Sequence, residues 1–91
     1  MPSYLVETSL PANRADKRSA GERRAEWAAR ELTRTDAPVR FDCSIHVPDD
    51  EICFFVFEAP SSRTAALAAE RAELEAIRVV EAVSSLREEQ R

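Results

Sequence analysis

RFDCSIHVPDDEICFFVFEAP, residues 40–60, decides the fold. Val39, Phe41, Cys43, Ile45 and Val47 alternate with Arg40, Asp42, Ser44 and His46. That period of two is the pattern of a half-buried strand. Pro48-Asp49-Asp50-Glu51 interrupts it with turn residues. The chain then runs Ile52-Cys53-Phe54-Phe55-Val56-Phe57, apolar at every position. A strand apolar on both sides needs cover on both sides. The protein's own helices supply one cover, and a second copy of the chain is the simplest source of the other.

The turn sets the register of this hairpin. An even-numbered loop pairs Val47 with Ile52, His46 with Cys53, Ile45 with Phe54, Ser44 with Phe55 and Cys43 with Val56. Opposed residues share a face and stand about 4.5–5.5 Å apart at Cβ. One face then collects Cys43, Ile45, Val47, Ile52, Phe54 and Val56, and reads as core. The other collects Asp42, Ser44, His46, Cys53, Phe55 and Phe57. Its mixture of polar and aromatic side chains reads as a lined cavity or an interface. A loop of odd length would shift every pair by one and undo this sorting.

The chain outside the hairpin supplies the remaining elements. Residues 3–8 read as a first strand, ended by Pro11. A helix follows to about residue 34, with Asn13 or Asp16 as its cap. Its inward stripe is Ala25, Ala28, Ala29 and Leu32, and Gly21 is a weak point within it. Trp27 points away from that stripe, either stacked by Arg23 or Arg30 or in contact with a partner subunit or the C-terminal tail. After the hairpin, Ala59-Pro60 is a stop and Ser61 or Ser62 a cap. An Ala-rich helix over residues 65–72 and a last strand over residues 77–83 complete the set. The order strand, helix, strand, strand, helix, strand is that of an α+β, ferredoxin-like domain, with two helices on one face of an antiparallel sheet. Residues 1–84 form this single domain, and residues 85–91 are a charged, frayed tail. Covering the second face with a second copy predicts a homodimer, a dimeric α+β barrel.

Bulk properties narrow the function classes. Ninety-one residues suffice for one domain with a modest core. The net charge of −4 and the lack of a basic face argue against nucleic acid. No apolar run approaches the length of a membrane span. The first ten residues lack the basic start and apolar core of a signal peptide, which predicts a cytoplasmic protein. Two cysteines make no disulfide framework. In the hairpin register Cys43 and Cys53 point to opposite faces, so both are predicted to be free thiols.

Motifs with chemistry are few. Gly21 is the only glycine, so there is no phosphate-cradling loop, and no Cys-x-x-Cys, His-Glu-x-x-His or Gly-x-Ser-x-Gly spacing occurs. His46 is the only histidine and stands opposite Cys53. Imidazole and thiolate both bind borderline metals such as zinc or nickel. Asp42 on the same face, and Glu7 or Glu81 on flanking strands, are carboxylates that complete such a site. The same pair fits a nucleophile and its base. It equally fits a hydrogen-bonded histidine beside an inert buried thiol.

MPSYLVET at the start, PVRF before the hairpin, SIHVPDDEICFFVFEAPS across it and IRVVEAV near the end together resemble a family of small actinobacterial proteins of largely unknown function, one branch of which is known as a nickel-binding protein. The likeness spans residues 1–83 and is most specific between His46 and Ser61. It implies a ferredoxin-like dimer and, for the nickel-binding branch, nickel held at the dimer surface. The chain departs from the family pattern at Glu73, where such proteins tend to carry a helix-ending glycine, at the bulky Trp27, and in the tail after Ser84. Three functions stay open. The first is a non-catalytic dimer binding nickel or another divalent transition metal through His46, Cys53, Asp42 and Glu7. The second is a metal-free dimeric α+β barrel enzyme (an isomerase, cyclase or oxygenase) with His46 as acid–base group and Phe55 and Phe57 walling a small-molecule cavity. The third is a structural interaction module anchored by Trp27.

Overall fold

A computed structural model describes residues 1–85. The elements are β1 (Ser3–Ser9), α1 (Ala15–Thr35), β2 (Arg40–Val47), β3 (Ile52–Glu58), α2 (Ser62–Arg71) and β4 (Arg78–Ala82), with a 3₁₀ turn at Pro48–Asp50. The four strands form one sheet in the order β2-β3-β1-β4, antiparallel at every junction. This is the ferredoxin-like α+β arrangement. The tail segment over residues 86–91, read above as charged and frayed, lies outside the described residues. No helix among the described residues is long and apolar enough to cross a membrane.

Local chemistry explains the element boundaries. Neither Asn13 nor Asp16 caps α1. Arg14 occupies the cap position without a side-chain bond, and its guanidinium instead donates to both carboxylate oxygens of Asp16 at 2.9 Å. This pairing holds the Asp16 carboxyl at about 2, below the usual range. At α2 the expected cap is present, with Ser61 Oγ accepting from the Thr64 N–H at 3.2 Å. The helix ends in a Schellman motif: Leu74 N–H donates to the Ala69 carbonyl and Glu73 N–H to that of Glu70, both at 3.0 Å. Glu73 thus takes the left-handed position, φ 56°, a conformation that favours glycine. Its Cβ costs about 1–2 kcal/mol there, and burial of the following Leu74 holds the turn.

The hairpin register is as expected. Val47 pairs with Ile52, His46 with Cys53, Ile45 with Phe54, Ser44 with Phe55 and Cys43 with Val56. The connection is even-numbered because the 3₁₀ turn is followed by Glu51 at φ 53°. One irregularity intervenes. A bulge between Phe41 and Cys43 sets Phe41 opposite Phe57 and leaves Asp42 as the extra residue. Asp42 therefore drops out of the alternation that was expected to carry it beside Ser44 and His46.

The two faces of the sheet exchange the roles the sequence suggested. The face bearing Cys53, Phe55 and Phe57 is the one under the helices: Cys53 and Phe57 are fully buried, and Phe55 is 4 % exposed. The face bearing Cys43, Ile45, Phe54 and Val56 carries no helix; Ile45 at its edge is 49 % exposed, and Val56 at its centre is 7 % exposed beneath its neighbours. Volume explains the exchange. The helices offer mainly alanine to the core, namely Ala25, Ala28 and Ala29 from α1 and Ala65, Ala68 and Ala69 from α2. Small helix side chains bring the layers close only if rings from the sheet fill the space. Phe41, Phe55 and Phe57 do this, with Phe41 edge-on to Phe57 at 5.5 Å. Gly21 serves the same end. A Cβ there would stand 2.8 Å from Phe55 Cζ, so the glycine marks a close approach rather than a weak point.

Candidate functional site

His46 and Cys53 are brought together, as the ladder requires, on the helix-covered face. Around them, Ser44 Oγ donates to Glu22 Oε2 of α1 at 2.6 Å. Glu22 is a charged neighbour that the sequence did not announce, because it lies on a helix remote in sequence. His46 Nε2 is buried and has no hydrogen-bond partner. Burial pushes the Cys53 thiol up, Glu22 adds to this and Arg18 offsets it. A thiol raised in this way is a poor nucleophile at neutral pH, which weakens the pairing of Cys53 with a histidine base. Both cysteines are free, Cys43 exposed and Cys53 buried.

The four residues expected to share a metal ion do not converge. Asp42 sits exposed on the bulge. Glu7 projects from the opposite, open face of the sheet, where Arg78 Nε donates to its Oε1 at 2.7 Å. Among the described residues, no group of three or more His, Cys, Asp or Glu side chains is placed to hold a metal ion. The four-ligand set therefore does not fit one ion. Glu81 opposes Tyr4 and so lies on the helix side, at the β4 edge. Phe57 is core. Phe55 borders a cavity of about 290 Å³ that also touches Thr8, Gly21, Arg24 and Leu74. Trp27 is 55 % exposed. It lies with Arg23, Arg30 and Phe41 along an open groove of about 520 Å³ beside edge strand β2.

The open face is the larger feature. Its cross-strand rows can be read from the register. Arg40, Glu58, Ser3 and Ala82 form the first. Cys43, Val56, Leu5 and Val80 form the second, without a polar side chain except the thiol. Ile45, Phe54, Glu7 and Arg78 form the third, and Val47 and Ile52 extend it towards the turn. The charges are confined to two corners, where each is paired. Arg40 bonds Glu58 at 2.6 Å and Arg78 bonds Glu7 at 2.7 Å. In both pairs the carboxylate is the buried member, with side-chain exposures of 10 % and 13 %, and the arginine lies outward.

No family model, curated protein or solved structure matches this chain. Its function is accordingly read from the site. The sequence pointed to the polar strip around His46. The tertiary structure covers that strip with α1 and leaves the apolar rows uncovered.

Proposed function

We propose that the protein acts as a non-catalytic homodimer, two copies joined open face to open face. One observation carries this reading: an apolar field from Cys43 to Val80, central in the sheet, with no helix among the described residues packed on it. Four strands at ~4.8 Å spacing and seven residues at ~3.3 Å rise give a face of about 19 by 23 Å. Contiguous apolar patches of more than a few hundred Å² on soluble proteins mark interaction sites. A second copy is the occupant because the field is self-complementary. Apolar rows meet apolar rows, as an isologous two-fold contact demands. The test is sedimentation equilibrium over a wide concentration range. The parent chain is expected to be a dimer, and Phe54→Asp a folded monomer with an unchanged circular dichroism spectrum. A parent chain that stays monomeric throughout would end this reading.

A second reading is favoured by His46. Its orphaned Nε2 costs about 1–3 kcal/mol unless it is satisfied, and a divalent transition ion such as nickel is one group that would satisfy it, with Cys53 beside it on the same face. Calorimetric titration with nickel decides the matter. Binding by the parent chain that disappears in His46→Ala supports the site. Equal binding by both chains removes it.

A further inference from the structure

The two ion pairs of the open face occupy opposite ends of a diagonal. Arg40–Glu58 lies at the β2–β3 end of the first row, and Glu7–Arg78 at the β1–β4 end of the third. Val56 and Leu5 stand midway between them. The charges are also ordered. Reading across the sheet from β2, the first pair runs positive then negative, and the second runs negative then positive. A half-turn about the normal to the sheet therefore exchanges the two pairs with their signs preserved.

Resting on the homodimer reading above, we infer that the two copies pack with these ion pairs facing each other and opposite charges opposed. This requires a two-fold axis along a diagonal of the face, passing by Val56 and Leu5. The other simple placements fail on the same grid. An axis parallel to the strands, or one perpendicular to them in the plane of the face, sets each ion pair of one copy against Ile45 and Phe54 or against Ser3 and Ala82 of the other. Either placement desolvates four charges on each copy against surface of the other that offers them no countercharge. A diagonal axis sets pair against pair and leaves the apolar rows to close on each other. Rows spaced ~6.8 Å and strands spaced ~4.8 Å place the pairs ~10 Å apart across the sheet and ~14 Å along it. Strands of the two sheets then cross at roughly 70°, nearer the orthogonal class of sheet packing than the aligned one. The outward arginines, 63 % and 64 % exposed, are the groups long enough to reach across the ~10 Å between packed sheets.

Self-sorting between two chains tests this. The first is the parent chain. The second carries Arg40→Glu, Glu58→Arg, Glu7→Arg and Arg78→Glu, so that each intrachain pair is kept and reversed. Opposite charges still oppose in either homodimer, whereas like charges oppose in a mixed dimer. Each chain alone is expected to dimerise. On mixing, heterodimers read by native mass spectrometry are expected to fall at least roughly tenfold below their statistical half share, and high salt to bring them back towards it. A statistical share at low salt, with both homodimers present, would overturn the facing of the pairs and leave the homodimer intact. Monomers of the parent chain at all concentrations would overturn both.

Discussion

Phe55→Asp is expected to leave the chain without a cooperative unfolding transition, whereas Phe54→Asp melts as a folded protein. The two residues are neighbours in β3 and differ only in parity. Phe55 is 4 % exposed, tilted against Phe41 with ring centroids 6.3 Å apart, and pressed against Gly21 of α1. Arg24, which lines the cavity beside Phe55, already donates its Nε–H to the Ala72 carbonyl at 2.8 Å. Burial of an unpaired charge, together with loss of a core ring worth about 3–5 kcal/mol, removes most of the stability available to so small a domain. Phe54 is only half-buried, on the open face, and a charge there meets solvent in the monomer. Circular dichroism and thermal melts of the two variants read the difference directly. A native-like, cooperatively melting Phe55→Asp protein would mean that the helices cover the other face.

Gly21→Ala is expected to destabilise the protein by about 1–2 kcal/mol, against the sense of helix propensity. In an exposed helix this exchange gains up to about 1 kcal/mol. Here the new Cβ would meet Phe55 Cζ at 2.8 Å, Cε1 at 3.1 Å and Leu74 Cδ2 at 3.5 Å. The ring is held by Phe41 and cannot swing aside without opening the core, so the helix must lift. Overpacking of this kind costs about 1–3 kcal/mol and more than offsets the propensity gain. The measurement is the urea midpoint. A second substitution, Phe55→Leu, shortens the offending side chain, and the pair together is expected to lose less than the sum of the singles. A raised midpoint in Gly21→Ala alone would show that α1 does not approach the sheet closely.

The carboxylates of Glu7 and Glu58 bear on both the fold and the candidate interface. Each is largely buried beside an outward arginine on the open face. Neither could be selected from sequence as part of a surface, because the partner of Glu7 lies on β4 and the two strands are joined only through the rest of the fold. Glu22 is hidden in the same way, since its contact with Ser44 spans a helix and a strand. The period of β1 carries a trace of this: Leu5 and Glu7 share one parity, Tyr4 and Val6 the other. That trace names two faces without saying which is covered.

Several features were determined by sequence alone. Period-two alternation in β2, the all-apolar β3 and an even-numbered turn gave the hairpin and its pairing, because side-chain direction along a strand is local geometry. The Ala25, Ala28, Ala29 and Leu32 stripe and the Ser61 cap are local in the same sense. Only the tertiary structure decided which face of the sheet the helices cover. Hydrophobicity favoured the wholly apolar face. Volume chose the other, because alanine helices need phenylalanine rings beneath them and a glycine at the closest approach. That choice buried Cys53 beside a half-buried His46 and turned Glu7 to the opposite side, away from both. It also left an apolar field with ion pairs at its corners in the open, a surface made by the register of four strands and written in no single stretch of the chain.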